Sequence, residues 1–91
     1  MDKELFRRAV TESGLPKAAI AFLYNVTRPT IYSWLADGEP KNASLLAHAN
    51  RVTAALNAAI QRHILPFSAG ITPRQRAQHI QNMHRALTNA R

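Results

Sequence analysis

Residues 17 to 36 constrain the fold of this chain more than any other stretch. Apolar residues recur there at helical spacing in two short runs, Ile20, Ala21 and Tyr24 at i, i+1 and i+4 and then Ile31, Trp34 and Leu35 at i, i+3 and i+4. Each run predicts a helix with one apolar stripe, and two stripes this close in sequence must face each other across a small core. Ala21 is small where two steeply crossing helices approach closely, so a larger side chain there would push them apart. Asn25 suits the turn, because asparagine is among the residues that, after glycine, enter the left-handed region most readily. Val26 then points back into the core and Thr27 is the N-cap of the second helix. Pro29 falls in that helix's first turn, where its missing N–H has no intrahelical acceptor to lose.

The opposite face of the second helix, residues 27 to 36, carries Arg28, Pro29, Tyr32, Ser33 and Ala36, with Thr27 and Thr30 at its N-terminal edge. An arginine can fork onto guanine, hydroxyls can bond phosphates or base edges, and tyrosine can do either or pack on a thymine methyl. A helix face that is merely solvated would carry more Glu and Lys. The order Ala21, Asn25, then Val26-Thr27-Arg28-Pro29-Thr30-Ile31-Tyr32-Ser33-Trp34-Leu35, resembles the helix-turn-helix of the lambda repressor and Cro superfamily over roughly residues 4 to 60. That family typically has glycine in the turn, where this chain has Asn25. Leu35-Ala36-Asp37-Gly38 also replaces the shorter Glu-x-Gly that commonly follows the Trp. By position, Thr27, Arg28, Pro29, Tyr32 and Ser33 match its DNA-facing residues, and Ala21, Val26, Ile31 and Trp34 its structural ones. The resemblance implies a repressor-like transcription regulator, a homodimer reading a palindromic operator through the helix 27–36. Base contacts are then expected from Arg28, Pro29, Tyr32 and Ser33, and phosphate contacts from Lys17, Thr27, Thr30, Lys41 and Arg51.

Charge is divided unevenly. Five basic and five acidic residues cancel over residues 1–39, whereas residues 40–91 hold seven basic residues and no acidic one, so the whole formal charge of +7 lies in the second half. Such a field draws polyanions, of which nucleic acid is the commonest available to a small cytoplasmic protein, and it would also draw an acidic protein partner.

Taken in order, the chain predicts five helices. Asp2 caps a first helix running to about Ser13, with Leu5, Phe6, Ala9 and Val10 as its stripe, and Gly14 ends it. Phe6 is expected to pack across the central helix pair. Arg7 and Arg8 flank the stripe, as phosphate contacts or as solvated side chains. Pro16 suits the first position of the second helix, and Lys17 follows where a helix N-terminus meets phosphate. Residues 37–41 form a turn, and Asn42 caps a long helix from about Ala43 to Leu65, closed by Pro66. Thr72 caps a last helix from Pro73 to about Ala90, whose narrow stripe suits packing on one other helix. The chain therefore reads as all-α: a four-helix helix-turn-helix core extended by a long fourth helix and a C-terminal fifth. Residues 1–55 make the DNA-binding core and residues 56–91 a basic helical hairpin. Neither hairpin helix alone hides its apolar positions, which predicts dimerisation through Leu56, Ile60, Ile64, Phe67, Ile80 and Leu87.

Enzymatic readings find little to stand on. Cysteine is absent, no histidine of the four lies three or four residues from another, and the second half has no carboxylate, so no metal-ligand set is visible and no cofactor is expected. The same missing acids argue against glycosidase, metal-dependent nuclease and phosphoryl-transfer chemistry. No apolar run of 18 residues and no signal-peptide pattern occurs, so a cytoplasmic, nucleoid-associated protein with no membrane partner is expected. The alternatives are a protein-binding adaptor or inhibitor that docks its basic C-terminal helix on an acidic partner, and a non-specific nucleic-acid packager.

Overall fold

A computed structural model of the chain describes residues 1–89; the helix end expected at Ala90, and Arg91, lie outside the described residues. The fold is all-α, with five helices and no strand among the described residues: α1 Lys3–Glu12, α2 Lys17–Tyr24, α3 Arg28–Leu35, α4 Ala43–Gln61 and α5 Pro73–Asn89.

The helix ends follow the sequence closely. The carboxylate of Asp2 accepts from the Leu5 N–H at 3.1 Å and the amide oxygen of Asn42 accepts from the Leu45 N–H at 2.8 Å, so α1 and α4 each have a side-chain N-cap. At α5 the cap is reciprocal: Thr72 Oγ1 accepts from the Gln75 N–H and Gln75 Oε1 from the Thr72 N–H, a capping box. Asn25 takes the left-handed conformation expected of it, with φ 59 and ψ 40. Its N–H reaches the Phe22 carbonyl and that of Val26 the Ala21 carbonyl, the paired bonds of a Schellman cap.

Packing joins α1, α2, α3 and the first two-thirds of α4 around Phe6, Tyr24 and Trp34. Their rings meet edge to face at centroid distances of 5.5, 5.9 and 6.0 Å, so Phe6 does pack across the pair as the stripes implied. Ile20, Ala21, Leu23, Ile31, Ala49, Val52 and Leu56 close around them. Tyr24 keeps its hydroxyl in this interior by bonding Thr53 Oγ1 at 2.7 Å. Burial pushes its pKa from 10.0 to about 12, and the bond to Thr53 opposes that only partly.

Four expectations are corrected. Pro16 is the N-cap residue of α2 and not its first helical residue. Helix α4 stops at Gln61, not Leu65, because His63 turns left-handed at φ 60 and the Ile64 N–H bonds back to Ala59, a second Schellman cap. Helix α5 packs on two helices rather than one: α2 as well as α4. Finally, the apolar stripe assigned to dimerisation is largely spent within the chain. Leu56 is buried, and Ile60, Phe67, Ile80 and Leu87 pack against the core, which leaves only Ile64 well exposed, at 57%. Helix α5 packs on α2 as well as α4, so Ile80 and Leu87 find partners within the chain. Helix α4 runs unbroken through residue 55, as the long helix read from Ala43 implied.

Candidate nucleic-acid interface

Helix α3 is eight residues long, too short to hold itself together in water, so its geometry depends on what grips it. Its inner side is anchored by Ile31 and Trp34, both buried. The turn at Asn25 fixes its entry. Its C-terminal carbonyls, which lack basic residues of their own in the last turn, are met from α1. The Lys3 ammonium donates to the Trp34 and Gly38 carbonyls, and the Arg7 guanidinium reaches the Leu35 and Ala36 carbonyls at 3.4 Å. Cations at a helix C-terminus both satisfy its orphan carbonyls and oppose its dipole. This role of Lys3 and Arg7 was missed from sequence. The available signal was two cations at i and i+4 on α1, which reads equally as a solvated flank. Arg8 pairs with Glu12 at 3.4 Å on the surface.

With three sides held, the fourth side of α3 is bare. Arg28, Pro29, Tyr32 and Ser33 are all exposed, Tyr32 by 55%. Beside Ser33 the chain turns past α3 too tightly for any residue but glycine at 38: a Cβ on Gly38 would lie 2.3 Å from Ser33 Oγ and 2.9 Å from its carbonyl. Thr27 is the N-cap by position, yet its hydroxyl makes no cap bond and instead lies 3.0 Å from that of Thr30. The two hydroxyls are therefore tied together at the N-terminal edge.

A cleft of about 490 Å³ between α3 and the start of α4 brings together Thr27, Pro29, Thr30, Ser33 and Lys41, with Glu39 beside them. Arg28 and Tyr32 do not line it, and nor do Lys17 and Arg51. Lys17 is half-buried at the start of α2, while Lys41 and Arg51 are exposed.

The histidines are each occupied in other ways. The imidazole of His48 is buried and its Nε2 donates to the Leu23 carbonyl at 2.9 Å. His84 on α5 stacks on Phe22 at 4.2 Å and its Nε2 donates to Asn25 Oδ1 at 2.8 Å, so the turn before α3 is also fastened to α5. His79 lies over Phe67 at 5.6 Å, and His63 is the left-handed residue ending α4.

Comparison with protein-family models, with curated proteins and with solved structures gives no match. No helix among the described residues is long and apolar enough to cross a membrane.

Proposed function

We propose that this chain is a sequence-specific duplex-DNA-binding protein, a repressor-like regulator rather than an enzyme, which reads a major-groove half-site with α3. The observation that carries the reading is the contrast between the two sides of α3. One side is fixed by a buried Trp, a left-handed turn and two cations on its carbonyls, while the other offers Arg28, Pro29, Tyr32 and Ser33 with no structural task that would explain a fork-shaped donor and a phenol there. A rigid helix presenting such side chains is what direct base readout needs. Thr27, Thr30 and Lys41, gathered in the adjoining cleft, suit the phosphates at the groove edge, with Lys17 at the start of α2 and Arg51 on α4 as further phosphate contacts.

Two copies on a two-fold operator would have to meet through what apolar surface remains, chiefly Ile64 with the less exposed Leu5 and Phe22. The base-reading role is tested by Arg28→Ala. Affinity for a selected site is expected to fall by about 1–3 kcal/mol with relaxed preference at one base pair. Equal weakening on selected and random DNA would remove that role.

A further inference from the structure

Helix α5 is not an appendage to the core. Ala77, Ile80 and Gln81 border Ala18, Ala19 and Phe22, and one turn later His84 meets Phe22 and Asn25. Both helices therefore advance in the same direction, and α5 lies alongside α2, which itself packs on α3. Arg74 consequently falls at the same end of the pair as Lys17, the phosphate contact expected at the start of α2.

With Ile80, His84 and Leu87 turned inward, one flank of α5 shows Arg74, Gln78, Gln81, Arg85 and Thr88, spaced at three and four residues and all exposed. The side chains are guanidinium, amide and hydroxyl. Helix α5 contains no acidic residue, and neither arginine has an ion-pair partner among the described residues. Arg74 and Arg85 are about 16 Å apart along the helix, the reach of several phosphates on one strand.

We infer that this flank of α5 is a second DNA-backbone surface, which follows the phosphates beyond the groove that α3 enters. The inference rests on the DNA-binding reading above and extends it. Helix α5 packs on α2 and His84 bonds Asn25 in the turn that leads into α3, so α5 lies beside the helix pair that the reading places on DNA. Charge complementarity selects the partner. A protein-docking surface is anchored by a central aromatic or aliphatic group, and this flank has none, whereas arginine, amide and hydroxyl donors strung along a line suit phosphate oxygens.

The test compares the intact chain with Arg74→Gln/Arg85→Gln and, as a control on the opposite flank, Arg76→Gln. Binding to a selected duplex and to a random duplex is followed from 50 to 300 mM salt. The double variant is expected to weaken both duplexes by the same factor, roughly tenfold at ~150 mM salt, and to make the plot of log affinity against log salt shallower by about 2, with base preference unchanged. Arg76→Gln leaves the slope as it was. An intact chain that binds no duplex overturns the DNA-binding reading itself. A chain that binds normally, with an unchanged slope in the double variant, overturns only the role of α5. Loss of binding to poly-glutamate with the DNA slope intact also overturns it, in favour of an acidic protein partner.

Discussion

Single side chains decide several outcomes that an average over the sequence hides. Tyr24 is fully buried, and its hydroxyl bonds Thr53, itself only 5% exposed. Tyr24→Phe is expected to cost about 1–2 kcal/mol, because it leaves a buried hydroxyl without its partner. The intact tyrosine also sets an alkaline limit. Its folded pKa, about 12, lies above the ordinary 10.0, so its contribution is fully present below pH 10 and is lost as pH rises from 10 through 12. Chemical denaturation followed across that window should show stability falling by roughly 2 kcal/mol in the parent and much less in Tyr24→Phe. Parallel curves for the two proteins would contradict the burial argument. Residues such as Asn25, Phe6 and Trp34 were legible in advance because their tasks are local or follow from the spacing of the stripes. His63 was not, because Pro66 supplied a plainer reason for the helix to end. A left-handed histidine leaves no mark in a hydropathy pattern, although histidine is among the residues enriched there.

At the level of elements, the five helices and most of their caps could be read from Thr, Asp and Asn placed before apolar periods, since capping is a short-range matter. What could not be read is which element supports which. Lys3 and Arg7 lie more than 25 residues from the carbonyls they hold, and nothing in α3 announces that it borrows cations from α1. This borrowing makes a specific demand. Lys3→Met and Arg7→Met together should destabilise the fold by about 1–2 kcal/mol, discounted for the exposure of Arg7, and should loosen α3 before the rest. Amide exchange resolves this: protection in residues 31–38 is expected to drop while that of α4 holds. Uniform loss across all helices would mean the two cations serve the core in general and not α3 in particular.

For the molecule as a whole, the uneven charge was plain from the sequence, but where it ends up was not. A reading that took residues 56–91 as a separate hairpin left its apolar stripe to a partner chain. The fold instead packs α5 on α2 and α4, buries or half-buries five of the six residues so assigned, and carries the basic flank next to α2, the neighbour of the candidate reading helix. The remaining exposed apolar surface is modest, and Ile64 is the most exposed aliphatic side chain on it, so a two-fold assembly is expected to use Ile64 first. Sedimentation on a duplex with two half-sites about one turn apart should give two chains per duplex, and Ile64→Asp should return one. One chain per duplex in both cases would remove the homodimer and leave α3 as a single reader.

The central claim is that the bare side of α3 reads bases. The most direct measurement is the ratio of affinities for a site selected from random duplex DNA and for random duplex of equal length at ~150 mM salt. A ratio of about 10³ or more is predicted. Near-equal affinities, or no binding to either, would contradict it.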